Sequence, residues 1–263
     1  MAPLQLPDPR DVVLPRSPLS LVVCQVRHDR VLAVADPRRG LAVQESLGGR
    51  YPEIEERQVI TASLAVVGGG APQVTQDKSG SGWQMKSEDG TWTVTLQPEF
   101  FSLETSAYEG WQDFRQRLEA LVRGVIAAYE PALEARIGLR YVDEITDPRV
   151  TSPRGWRGWI RDELLGPVVH PLFGDAIRGV QQHVEFDAEG GYRVVLRHGT
   201  SPIAGEDQWV YLLDHDCFRQ AGRALTADTV MTTADHLHRA ALQVFQAAIT
   251  DKLYSYLAAE NGQ

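Results

Sequence analysis

The chain alternates between apolar runs with a two-residue period and longer segments with a helical period. Residues 19–27 (LSLVVCQVR) are rich in β-branched positions and long enough for a buried strand. Residues 38–50 predict a short helix stopped by Gly48-Gly49. Over 57–67 the pattern alternates, with Val59, Thr61 and Ser63 on one face and Ile60, Ala62 and Leu64 on the other. A Gly/Pro/Ser-rich stretch, 68–82, reads as a loop. Strands at 83–88 and 91–97 flank Asp89-Gly90, a dipeptide favoured in tight type I′ hairpin turns. A further strand at 100–105 completes a meander. Residues 109–130 then predict a long helix with Phe114, Leu118, Leu121, Val122, Val125 and Ile126 on one face, closed by Pro131.

The second half repeats this order. A strand at 136–145, a short helix at 156–165 and strands at 178–186, 191–198 and 208–214 precede a closing helix at 235–257. Its stripe is Leu237, Ala241, Val244, Phe245, Ala248 and Ile249, with the spacing of the first stripe. Moved forward by 118 positions, residues 17–49 fall on 135–167 with seven identities in 33 positions, among them Leu21/Leu139, Arg39-Gly40/Arg157-Gly158, Glu45/Glu163 and Leu47-Gly48/Leu165-Gly166. The expected architecture is therefore α+β, an internally duplicated β-α-β-β-β-(β)-α unit. Residues 1–16 form an extended, proline-rich arm. The repeats, 17–131 and 132–263, share one curved antiparallel sheet with helices on one face. That element order is similar in topology to the saddle of TATA-box-binding proteins, a likeness of fold that carries no function with it.

Composition narrows the setting. With 43% apolar and 23% charged residues in 263, the chain reads as an ordinary soluble globular protein. No run is long enough to predict a membrane span, and the N-terminus lacks an apolar leader core. Cys24 and Cys217 sit in apolar segments and suit a reducing compartment, so cytoplasm is expected. The net charge of −9 disfavours nucleic-acid partners, whose binding draws on neutralised phosphates.

Candidate chemistry is sparse. Asp214-His215-Asp216 places a histidine between carboxylates, but neighbours on a strand point to opposite faces and cannot converge on one ion. His236 and His238 are two apart on a helix and diverge; Asp235 is expected to favour the helix N-terminus or to pair with Arg239. The glycines near Lys78 do not make a phosphate loop, and no cofactor or metal signature is present. One constellation stands out. His183, Arg193 and Arg197 share the polar face of consecutive strands, opposite Val180, Gln182, Val184 and Phe186, with Arg140 on the leading strand of that repeat. Together they could clamp a carboxylate or phosphate; the plainer reading is cross-strand pairing with Glu185 and Glu144. Trp156 and Trp159 lie in an arginine-rich short helix and fit either a partner-binding surface or core packing.

The segments 18–27, 92–111 with Asp113-Phe114 beyond, 136–145, Leu164-Leu165-Gly166-Pro167 and 245–253 resemble a sporadically distributed prokaryotic family of unknown function. The chain differs where members often carry an acidic residue near Ser20 and a His-Asp pair at His238-Arg239. The resemblance implies bacterial origin and an accessory role, in host defence or specialised metabolism, with no catalytic residue to transfer. The expected function is a non-enzymatic cytoplasmic binding protein. It would offer its open sheet face or end loops to a protein partner or an anionic small ligand, and a homo-oligomer is left open. The alternative is an enzyme using His183 or His215 as acid-base and Arg140, Arg193 and Arg197 as anion clamp. Nucleic-acid binding ranks last.

Overall fold

The computed structural model describes residues 2–65 and 73–259. In chain order it contains β1 (Leu19–His28), α1 (Pro37–Ser46), β2 (Glu53–Ala65), β3 (Gln73–Lys86), β4 (Trp92–Gln97), β5 (Phe100–Thr105) and α2 (Trp111–Tyr129). Then follow β6 (Leu133–Thr146), α3 (Asp162–Leu165), β7 (Val180–Asp187), β8 (Tyr192–Pro202), β9 (Trp209–Ala224), α4 (Ala227–Ala248) and α5 (Asp251–Ala258). Among the described residues nine strands form one antiparallel sheet in the order β2-β3-β4-β5-β1-β6-β9-β8-β7. Each half starts on its central strand, jumps to the outer edge, and returns strand by strand to the starting strand's side. A long helix then crosses the back. The two starting strands, β1 and β6, pair with each other at the seam. The fold is thus a duplicated α+β unit with a continuous sheet.

Alternation decides which side chains face the helices. Val22, Cys24 and Val26 of β1 are fully buried, and Cys24 sits opposite Leu139, which in turn sits opposite Cys217 of β9. Against this surface α2 lays Phe114, Leu118, Leu121, Val122 and Val125, the stripe read from the sequence. Each such side chain taken from water contributes about 1.5–3 kcal/mol. Helix α4 starts with a reciprocal cap between Thr226 and Thr229 and buries Leu237, Ala241, Val244 and Phe245.

Several boundaries differ from expectation. Helix α4 begins at Ala227 rather than Asp235, because the Thr226 cap nucleates it earlier, and β9 runs through Cys217-Phe218 to Ala224. The closing helix breaks at Ile249-Thr250, where Ile249 bridges Ile160 and Thr250 caps α5. The expected helix at 156–165 is instead a chain of single turns. Pro153 opens the first of them, Pro153–Trp156, and Gly158 at φ 78° breaks the run before α3. Helix α1 stops at Ser46. Residues 73–82, read as loop, belong to β3, while 66–67 of the expected strand and 68–72 of the expected loop lie outside the described residues. The turn after β3 is longer than the two-residue type, with Asp89 accepting from Ser87 and Thr91.

The 118-residue offset is also off by one on the strands. It aligns Leu21 with Leu139, yet Cys24 and Leu139 share the helix-facing side, so Leu21 points the other way. Between the helix N-caps, Gly110 and Thr226, the separation is 116.

The N-terminal arm lies across α4. Leu4 N–H donates to Asp187 O at 2.7 Å, and Gln243 donates to the carbonyls of Leu6 and Pro7. Gln246 both donates to Arg10 O and accepts from Arg10 N, and Asp8 pairs with Arg239. No helix among the described residues is long and apolar enough to cross a membrane.

Candidate functional site

The four basic residues singled out in the second repeat do share the open face, but each meets a carboxylate. Arg140 binds Asp214 in two-pronged fashion at 2.6 and 2.8 Å, and Arg197 approaches the same carboxylate at 3.6 Å. Arg193 pairs with Asp187 at 3.1 Å and His183 lies 3.3 Å from Glu185. The expected anion clamp is thus internally neutralised. Its residues are sheet electrostatics, with Asp214 rather than Glu144 as the hub, because register sets Asp214 opposite Arg197 and one pair along from Arg140. Of the two histidines in the expected enzyme constellation, His183 shares the open face with the arginines and only the His215 version is split. His215 faces the helices, whereas Arg140, Arg193 and Arg197 face the opposite side of the sheet.

Of the two readings for the tryptophans, core packing is the one the structure has. Trp156 is 0% exposed and donates its indole N–H to Thr200 Oγ1 at 2.8 Å; Trp159 is 7% exposed. Neither presents a surface to a partner. Asp235 pairs neither with Arg239 nor with the helix end: mid-helix, it takes Arg115 Nε at 2.9 Å and the Trp111 indole at 2.9 Å, clasping α4 to α2. Cys24 and Cys217 are buried free thiols, and burial raises the pKa of both, that of Cys24 to about 12.

Behind the seam lies a cavity of about 430 Å³. Its floor is Tyr141 and Asp143 of β6 and His215 of β9. Tyr108, just before α2, and Trp111, its first residue, make one wall, and His238 and Phe245 of α4 make the other. Residues 11–15 of the arm form its roof. Strand alternation explains the floor: Leu139, Tyr141, Asp143 and Ile145 all project toward the helices, and Tyr141 sits directly opposite His215. Aromatic rings line up through the site. Trp111 stacks on His238 with centroids 4.4 Å apart, and Tyr141 stacks on His215 at 5.7 Å. The Tyr141 hydroxyl and His238 Nδ1 are hydrogen-bonded at 2.9 Å.

Three buried polar atoms in this cavity have no hydrogen-bond partner: Asp143 Oδ2, His215 Nδ1 and His238 Nε2. Asp143 is 4% and His215 2% exposed. The Asp143 and His215 atoms stand 3.9 Å apart, and His238 Nε2 is 3.6 Å from Asp11 of the roof, both beyond hydrogen-bonding reach. Burial pushes the Asp143 carboxyl up to about 8 and the His215 imidazole down to about 4, the latter opposed by Asp214. Both are therefore uncharged at neutral pH. His238 is also lowered by burial, against the pull of Asp11. Leaving a buried polar group unpaired costs about 1–3 kcal/mol, so three around one void mark a place built to receive hydrogen-bonding groups. Among the described residues no cluster has the ligands for a metal ion.

Reading the sequence missed Asp143, Tyr108 and Trp111 as site residues, and placed His215 without its neighbours. The signal available was a carboxyl and an imidazole interrupting otherwise apolar strand faces, Leu139–Ile145 and Leu213–Cys217. Compared with protein families and curated proteins, the chain matches no family model and no curated relative. The chemistry therefore rests on the geometry.

Proposed function

We propose that this chain is a non-enzymatic binding protein of the cytoplasm whose ligand occupies the seam cavity rather than the open sheet face. The observation that carries this reading is the convergence of three unpartnered buried polar atoms on one aromatic-walled void. The buried free thiols are in keeping with a reducing compartment. A thermal-shift screen of small molecules against the wild type and Ala241→Phe tests it, since Ala241 lines the cavity and a phenyl ring there intrudes on the space a ligand would take. Ligands should raise the melting temperature of the wild type and leave the variant unmoved. Ligands that still bind Ala241→Phe but are lost in Arg140→Ala or Arg197→Ala would return the site to the open face.

A second reading is catalytic. His215 carries an uncharged Nδ1 that opens into the cavity without a partner and can accept a proton from a bound ligand, as a weak base whose pKa burial holds at about 4. On that reading a ligand found in the screen is converted by the wild type and only bound by His215→Gln.

A further inference from the structure

Resting on the cavity as the ligand site, we infer that its ligand is an organic cation, an ammonium head set between Asp143, His215 and His238 with an apolar body lying against Tyr108, Trp111 and Phe245. The charge inventory of the lining carries this. Asp11, Glu109 and Asp143 are its formally charged residues, and no lysine or arginine among the described residues lines it. The nearest fixed cation of the helical clasp, Arg115, is spent on Asp235 and Glu119. An anion entering this space meets carboxylates and ring faces and finds no counter-charge.

The polar atoms match an ammonium in number and kind. Such a head carries three N–H donors on one centre. The cavity offers three unpaired atoms, Asp143 Oδ2, His215 Nδ1 and His238 Nε2, of which the carboxylate accepts outright and a neutral imidazole accepts at its unprotonated nitrogen. A separation of 3.9 Å between Asp143 Oδ2 and His215 Nδ1 is too long for a bond between them, yet one nitrogen between them can bond to both. The walls suit the same guest, because aromatic faces attract cations and cover apolar surface.

Binding would also move a proton. Asp143 faces His215 of β9, Tyr141 of its own strand, Tyr108 ahead of α2, His238 of α4, and the rim carboxylates Asp11 and Glu109. None of these is a resident cation at neutral pH, so Asp143 holds its proton until a cation enters. A cation displaces that proton, and affinity for it rises with pH until Asp143 is ionised on its own near pH 8.

The test is calorimetric titration of phenethylamine, phenethyl alcohol and hydrocinnamate, three probes of similar shape and different charge, at pH 6 and pH 8. The amine should bind the wild type at least about tenfold more tightly than the other two, a gap that one charge-assisted contact supplies. It should tighten from pH 6 to pH 8 with proton release. In Asp143→Asn, which keeps the shape, the amine's advantage and its pH dependence should both vanish while the alcohol still binds. If the alcohol or the carboxylate binds the wild type as well as the amine does, the cavity is the site but its ligand is not a cation. If no probe binds the wild type, or all bind Ala241→Phe unchanged, the proposal and the cavity reading fall together.

Discussion

At the scale of single residues, the structure turns on a pair that burial has stripped of charge. Asp143 keeps its proton to about pH 8 and His215 refuses one until about pH 4. The signs follow from which state binds more protons. Between pH 6.5 and 8 the folded chain holds a proton on Asp143 that the unfolded chain has released, so stability falls as pH rises, by roughly 2 kcal/mol. Below 6.5 His215 contributes the opposite slope, since the unfolded histidine takes up a proton the folded one excludes, and it offsets Asp143 as pH falls toward 4. Urea denaturation at pH 6.5 and pH 8 should show the wild type losing stability relative to Asp143→Asn, because the buried histidines His28, His198, His215 and His238, whose pKa values burial lowers, shift both proteins alike in the opposite direction. A second residue-level expectation concerns Glu134, 0% exposed and paired with Arg223 at 3.1 Å, which also reaches Thr229 and Thr233 of α4. Arg223→Met leaves that carboxylate buried without a partner and should lower stability by about 3–5 kcal/mol, read from the same denaturation curves.

At the scale of elements, what the sequence conveyed depended on the kind of signal. The α2 stripe and the alternation of β1, β6 and β8 were legible because periodicity encodes a buried face directly. The region 153–176 was not. Its apolar residues follow no period; its largest buried side chain is Trp156, sunk against Tyr211 and bonded to Thr200, with Ile160, Leu165 and Val168 buried beside it. Trp156→Ala should therefore cost about 3–5 kcal/mol and loosen the whole series of turns, measurable as lost hydrogen-exchange protection over 153–176. Likewise the offset of 118 matched residue identities while slipping the strand by one, since identity has no knowledge of which way a side chain points. Arg193 and Arg197 were legible as sharing one face, which Arg140 also joins, but their partners Asp214 and Asp187 lie across register and could not be assigned from charge alone. One close approach tests the β7–β8 pairing. A Cβ at Gly199 would come 1.9 Å from Val180 O, so Gly199→Ala should push the start of β7 away and expose its amides.

At the scale of the whole molecule, the cavity exists because two repeats meet. Tyr108 and Trp111 come from the first, and Tyr141, Asp143, His215 and His238 from the second, while the arm roofs both. Removing residues 2–16 takes away Asp11 and the backbone that Gln243 and Gln246 hold. The shortened protein should stay folded on its sheet and helices, by circular dichroism, and release a cavity ligand faster in stopped-flow displacement.

Among the described residues the paired acid and imidazole of the cavity floor are not repeated on the inward faces of β1 and β5. Where β6 and β9 carry Asp143 and His215, the inward faces of β1 and β5 carry Val22, Cys24, Val26 and His28, and Phe101, Leu103 and Thr105, with no carboxyl among them. Val122 stands as far from its helix cap as His238 does from its own. Two identical subunits joined about a dyad would have been obliged to plant the same acid and imidazole twice, facing each other in duplicate. A tandem polypeptide escapes that rule. One copy can do without that pair and hold the shape, leaving its twin at liberty to specialise.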